Sequence, residues 1–175
     1  MKVVIINGSP RKAGRTGIIA RFIAKKYEMQ LIDLSEGRLP LYNGEIEQDQ
    51  LAAVKELRDT IKSADAVILT TPEYHNAMSG ALKNALDYLG SQQFQHKPVA
   101  LLAVAGGGKG GINALNNMRT VARGVYGNAI PRQLVLDPGA FDKENQSITY
   151  DSEQQVDALV SELQFYMNLY EKRSH

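Results

Sequence analysis

The chain has 175 residues, a formal net charge of +1, 43% hydrophobic and 22% charged residues, and no cysteine. These values predict one globular domain, residues 1–175, and give no reason to expect nucleic acid or an acidic membrane surface as a partner. The lack of cysteine excludes disulfides, thiolate nucleophiles and cysteine-ligated metal centres, and no other side chains are spaced as metal ligands. Without a long apolar segment or a signal-type N-terminus, we expect a cytoplasmic location and no membrane contact.

Strand-like and helix-like segments alternate along the sequence. Apolar runs predict strands over 3–6, 29–34, 64–71 and 99–105, and a last one within 125–136 that is interrupted by Pro131. Apolar stripes at helical spacing predict helices over 16–26, 51–61, 80–89, 113–123 and 156–167. Residues 35–47 predict a long loop in which Leu39, Leu41 and Tyr42 turn inward.

Five strands separated by helices predict an α/β fold, a doubly wound five-stranded parallel sheet with helices on both faces. In such a sheet the ligand lies beyond the carboxyl ends of the strands, where the strand order reverses. Unusual loops follow the first, third and fourth strands, and the order 2-1-3-4-5 places them side by side. We name them loop A (residues 7–16), loop B (residues 72–79) and the glycine loop (residues 106–111).

Loop A leads from a buried strand directly into a helix N-terminus, where free N–H groups favour an anion. Ser9 and Thr16 offer hydroxyl donors, and Arg11 and Arg15 offer forked guanidinium donors to phosphate oxygens. The alternative is an ordinary turn with solvated arginines. The sequence is neither a Walker A loop nor a dinucleotide fingerprint, because it lacks Gly-Lys-Ser/Thr and has only two glycines.

The glycine loop formally contains G-x-G-x-x-G, but it does not follow the first strand and no acid lies about 20 residues downstream, so the dinucleotide motif is a weak match. A flexible turn is the plain alternative. Because five glycines carry a large entropic cost, we favour close approach of the backbone to a flat ligand. Lys109 either places a cation near that ligand or faces solvent or a subunit salt bridge.

Loop B begins with Pro72, which fixes the backbone after its strand, and ends at Ser79, a plausible N-cap for the next helix. A lone histidine such as His75 is more often a surface or core residue than a catalyst. For Glu73 we expect the neighbouring backbone amides to matter more than its carboxylate.

Three segments together resemble the NAD(P)H-dependent FMN reductases. They are Asn7-Gly8-Ser9-Pro10-Arg11, then Pro72-Glu73-Tyr74 with Gly80-Ala81-Leu82-Lys83-Asn84-Ala85-Leu86-Asp87, and residues 106–111. This flavodoxin-like family includes azoreductases and quinone or chromate reductases, and the likeness is strongest to bacillus-type azobenzene reductases. The sequence departs from the usual pattern at His75, where Asn is common, and at Ser79, where Pro is common.

The resemblance implies bound FMN that takes hydride from NADPH or NADH and passes electrons to an azo compound, a quinone, free flavin or a similar acceptor by a ping-pong mechanism. It assigns the FMN phosphate to Ser9, Arg11, Arg15 and Thr16. It assigns the isoalloxazine ring to Pro72, Glu73, Tyr74 and His75. The pyrimidine end of that ring is assigned to Gly106, Gly107, Gly108, Lys109, Gly110 and Gly111. No side chain is required as an acid–base catalyst, since the flavin carries the chemistry, and Lys109 has at most an electrostatic role.

The family likeness also implies a homodimer or homotetramer, with helix faces such as 80–89 and 113–123 in the interface. Two other functions stay open at this point. One is a non-enzymatic FMN electron carrier, although the near-neutral charge and the arginines of loop A argue against a flavodoxin-type carrier. The other is a module that only holds the flavin.

Overall fold

The structure is a computed structural model that describes residues 1–107 and 110–171. Five parallel strands form one sheet in the order β2-β1-β3-β4-β5. Their bounds are β1 Val3–Asn7, β2 Gln30–Asp33, β3 Ala66–Pro72, β4 Pro98–Val104 and β5 Asn128–Leu136. The predicted flavodoxin-like order is therefore confirmed, and the carboxyl ends of β1, β3 and β4 lie next to one another.

Helices cover both faces of the sheet. They are α1 Arg15–Lys26, α2 Ala52–Lys62, α3 Gly80–Asp87, α4 Ser91–Phe94, α5 Ile112–Gly124 and α6 Tyr150–Glu171. Successive residues of a strand point to opposite faces, so Val4 and Ile6 pack towards α2, α3 and α5, and Ile5 packs towards α1 and α6. Every residue of β3 and β4 is buried, as expected for central parallel strands.

The last strand runs from Asn128 to Leu136, and its pairing with β4 is interrupted around Pro131, as predicted, because Val99 faces Ala129 whereas Leu101 faces Gln133. β5 runs through this proline on the edge of the sheet, where a missing N–H is tolerated. The pairing with β4 slips between Val99 and Leu101, which marks a bulge. The guanidinium of Arg119 donates to the carbonyls of Ile130 and Pro131 at 2.7 and 2.8 Å and satisfies the backbone there.

The segment after β2 also differs from the prediction. It contains two 3₁₀ turns, Leu34–Glu36 and Ile46–Gln50, and Leu39 is half-buried, but Leu41 is 82% and Tyr42 is 42% exposed. Asn84 explains this, because its side chain accepts from Tyr42 N and donates to Pro40 O, both at 2.8 Å, and holds the segment on the surface of α3.

A short hairpin, β6 Phe141–Asp142 and β7 Ser147–Ile148, was not predicted. Ile148 packs against the core on the α1 and α6 face. Over the described ranges, no helix has the length and apolar character needed to cross a bilayer.

Candidate functional site

Loop A, loop B and the glycine loop meet at the carboxyl edge of the sheet, as the strand order requires. Ser79 Oγ donates to the carbonyl of Gly8 and joins loop B to loop A. The guanidinium of Arg11 lies over the ring of Tyr74, 5.8 Å from its centroid, which is a cation–π contact between the same two loops. Loop A and loop B are therefore in direct contact at this edge.

Loop A is shaped by its own short side chains. Asn7 Oδ1 accepts from Ser9 N at 3.2 Å, and Ser9 Oγ accepts from Arg11 N at 3.1 Å. At Gly8 a Cβ would lie 2.3 Å from Thr70 O, so only glycine fits against β3. These contacts turn the chain sharply between β1 and α1.

The N-terminus of α1 has no cap. Its N-cap residue, Gly14, makes no side-chain hydrogen bond, and the first turn holds no acidic residue. The amides of this first turn are orphan donors, and the buried residues Ser9 and Thr16 add hydroxyl groups beside them. Such a helix end favours an anion through hydrogen bonds and the helix dipole.

The other two helices that begin at this edge are capped. Ser79 Oγ accepts from Leu82 N at 3.0 Å at the start of α3, which confirms the predicted N-cap. Glu73 Oε2 accepts from Ala114 N at 2.9 Å at the start of α5. Of these three helix ends, α1 is the one at which the described residues provide no side-chain cap.

Arg15 has a further partner that the sequence did not reveal. Its Nη1 donates to the carbonyl of Ala105 at 3.3 Å, at the base of the glycine loop. One donor of this guanidinium therefore links α1 to the end of β4, and its other donors have no partner among the described residues. The assignment of Arg15 to a phosphate stays a prediction.

Loop B contains a tight turn at 74–77. Tyr74 N donates to Ala77 O at 2.9 Å and Ala77 N to Tyr74 O at 3.1 Å, while the central residues His75 and Asn76 have φ values of 48° and 63°. This pattern is typical of a hairpin turn, in which positive φ is strained for residues other than glycine, and such strain is often found at functional sites.

The amides of loop B are not equivalent. Glu73 N donates to Val104 O at 3.1 Å, and Tyr74 N is used in the turn. Within the part of the chain that the structure describes, the amides of His75 and Asn76 have no hydrogen-bond acceptor. These two N–H groups are available to a ligand at the tip of loop B.

In the glycine loop, Gly106, Gly107, Gly110 and Gly111 are described, whereas Gly108 and Lys109 lie outside the described residues. Gly107 has a φ of 137° and Gly111 a φ of 94°. A Cβ on Gly111 would lie 2.5 Å from Val135 Cγ1. The backbone conformation thus requires glycine at these two positions.

The carboxylate of Glu73 was missed by the sequence reasoning, which gave weight only to the neighbouring amides. The structure shows that this side chain caps α5 and that the amide of Glu73 itself is already used. A signal was present in the sequence: a helix that starts after a glycine run has no capping side chain of its own, and an acid lies in the adjacent loop.

A groove of about 460 Å³ lies beside these loops, between β2, α2 and α3. It shares Pro10 with loop A and is lined further by Asp33, Arg38 and Glu56. It does not coincide with the surface formed by the three loops. In the described ranges, no group of three His, Asp or Glu side chains is placed to hold a metal ion.

The sequence matches the NADPH-dependent FMN reductase family over residues 1–141. The chain belongs to this family. It is 56% identical over 172 residues to an NADPH azoreductase of Bacillus sp. (strain OY1-2), covering 98% of this chain and 96% of that protein. An FMN-dependent NADPH-azoreductase of Staphylococcus aureus (strain USA300) is 34% identical over 177 residues, covering 90% of this chain and 89% of the relative.

Among solved structures, the flavoenzyme NAD(P)H:(acceptor) oxidoreductase FerB from Paracoccus denitrificans superposes with a TM-score of 0.76 at 26% identity, covering 98% of this chain and 97% of that one. Family membership confirms the resemblance inferred from the three loops, and with it an oxidoreductase that uses FMN and a reduced nicotinamide. The chemistry of loop A fits the cofactor, because its open helix end suits the phosphate of FMN.

Proposed function

We propose that this protein reduces azo compounds, and other small acceptors such as quinones or free flavin, with electrons from NADPH in a ping-pong reaction. The observation that carries the proposal is the uncapped N-terminus of α1, which lies at the same edge of the sheet as the turn with two free amides. The chain is also similar to NADPH azoreductases. When bound, FMN supplies the chemistry of hydride acceptance and electron transfer. The residues of the chain bind and orient it.

Loop A would hold the phosphate of FMN. The free amides of α1 and the hydroxyls of Ser9 and Thr16 are its donors, and Arg11 adds an exposed positive charge at the rim. Loop B and the glycine loop would hold the ring, mainly through backbone groups. Fixed backbone dipoles stabilise negative charge on a reduced ring without reorganisation.

Rapid-mixing spectroscopy tests this function. The purified flavin-loaded protein is mixed anaerobically with NADPH or NADH, and the bleached protein is then mixed with the azo dye methyl red. We expect faster bleaching by NADPH, reoxidation by the dye, and parallel lines in double-reciprocal plots of steady-state rates. Bleaching by neither nicotinamide would favour an electron carrier, and bleaching without reoxidation by any acceptor would favour a flavin-holding module.

We also propose that the protein works as a homodimer or homotetramer in the cytoplasm, where reduced nicotinamide is available. Exposed apolar side chains on the segment after β2 support an interface: Leu41 is 82%, Ile46 74% and Leu51 41% exposed. Asn84 fixes this segment on α3, so it extends the helix face named above. Light scattering of Ile46→Glu should show a smaller species than the parent, with Glu47→Lys as a control of unchanged size.

A further inference from the structure

The first turn of α5 takes its cap from another loop. Its own N-cap residue is Gly111, where the φ of 94° and the contact of a Cβ with Val135 exclude a larger side chain. In most helices the N-cap side chain accepts a hydrogen bond from the amide of the second or third helical residue. Here Glu73 Oε2 accepts from Ala114 N, the third residue of α5, at 2.9 Å.

This carboxylate belongs to a set of contacts between loop B and α5. Asn113 Nδ2 donates to Asn76 Oδ1 at 3.3 Å, and Met78 N donates to Asn117 Oδ1 at 3.4 Å. The Glu73 bond is the shortest of the three and involves a charged acceptor, and such bonds are roughly twice as strong as neutral ones. The position of loop B on α5 therefore depends most on Glu73.

The same carboxylate also lies against the glycine loop, because a Cβ on Gly110 would approach Glu73 Oε1 to 3.3 Å. Glu73 thus contacts both segments that face each other across the end of β4: loop B through its own backbone, and the exit of the glycine loop through its side chain.

We propose that Glu73 is a positioning residue that fixes the turn at 74–77 relative to the glycine loop, and so holds the free amides of His75 and Asn76 for the flavin ring. Glu73 acts through these backbone groups and not by touching the cofactor. The inference rests on the proposed function, since it assigns these amides to the flavin.

Flavin titration of the full chain freed of its cofactor tests the inference with two ligands. Riboflavin has the ring without the phosphate, so a change in the ring site weakens riboflavin and FMN by the same factor. We expect E73A to raise both dissociation constants about tenfold, which corresponds to about 1.4 kcal/mol. E73Q keeps an acceptor oxygen for Ala114 N but loses the charge, so both constants should rise, and by less than in E73A.

Two further variants separate this role from others. R11A should weaken FMN more than riboflavin, because in the proposed site its charge lies beside the phosphate, whereas its contact with the Tyr74 ring is a cation–π contact at 5.8 Å. T149A removes the cap that Thr149 Oγ1 provides to Ser152 N at the start of α6, and should lower thermal stability without changing either dissociation constant. If E73A does not fold, E73D, whose carboxylate is one methylene shorter, should weaken both flavins in its place.

Equal binding of both flavins by E73A and the parent would overturn the inference. So would loss of FMN alone, or equal weakening of flavin binding by E73A and T149A. If the parent chain bound neither riboflavin nor FMN, the proposed function itself would be wrong. These outcomes are distinguishable in one set of titrations.

Discussion

Gly111→Ala tests whether the end of the glycine loop is fixed by close packing against β5. The structure gives two separate costs. A φ of 94° places alanine in the left-handed region, which costs about 1–2 kcal/mol. Its Cβ would also lie 2.5 Å from Val135 Cγ1 and 3.0 Å from Cγ2, and such overpacking costs about 1–3 kcal/mol.

The two costs can be separated with a second substitution. Val135→Ala alone removes two methyl groups from a half-buried side chain, so we expect a loss of about 1 kcal/mol. In the double variant the clash at residue 111 disappears, while the backbone strain persists. The double variant should therefore be more stable than the sum of the single losses predicts, by about 1–3 kcal/mol.

Urea unfolding followed by circular dichroism, on the full chain without cofactor, measures these free energies. Gly106→Ala is a matched control in the same loop, because its Cβ would have nothing within 4 Å. We expect that variant to differ from the parent by less than about 0.5 kcal/mol. Full stability of Gly111→Ala, or additive losses in the double variant, would refute the close packing described here.

Three further predictions concern other parts of the molecule. Arg11→Ala should lose FMN on a desalting column, because the exposed guanidinium beside the open end of α1 is removed, whereas Lys25→Ala, at the opposite end of the same helix, should stay yellow. Asp157→Asn should lower the urea midpoint more at pH 7 than at pH 3. The Lys26 ammonium and then the Tyr27 hydroxyl lower the pKa of Asp157. Its carboxylate therefore stabilises the fold above the ordinary pKa near 4, and this stability is lost as the pH falls through the lowered pKa. Equal losses at both pH values would contradict this. Arg119→Ala should cost about 1–2 kcal/mol in urea unfolding, because the part-buried carbonyl of Ile130 loses its donor whereas that of exposed Pro131 can bind water. Arg123→Ala, on the exposed face, should be near neutral.

The sheet was predictable because its central strands have a strong signal. The residues of β3 and β4 are apolar or small throughout, and burial on both faces requires this. The three loops at the carboxyl edge were predictable for the same reason, since strand order alone places them together. Ser79 was identified as a cap because a cap and its helix are adjacent in the sequence.

Contacts between distant segments were not predictable in this way. Glu73 and Ala114 are joined only because β3 and β4 are neighbours, so the glycine run before α5 and the acid in loop B indicate this cap only when they are combined with the strand order. The passage of β5 through Pro131 depends on Arg119, a residue of the preceding helix. The exposure of Leu41 likewise depends on Asn84, which lies 42 residues after Tyr42.

The capping pattern decides where an anion binds at this edge of the sheet. Three helices begin there, and each would attract an anion through its free amides and dipole. Ser79 Oγ occupies one amide of α3, and the carboxylate of Glu73 occupies one amide of α5 and repels a second negative charge. This pattern favours α1 for the phosphate in the proposed site. Because loop B and the glycine loop lie on the side of β3 and β4, a ring joined to a phosphate at α1 would extend across them, and the position of the phosphate alone would orient the cofactor.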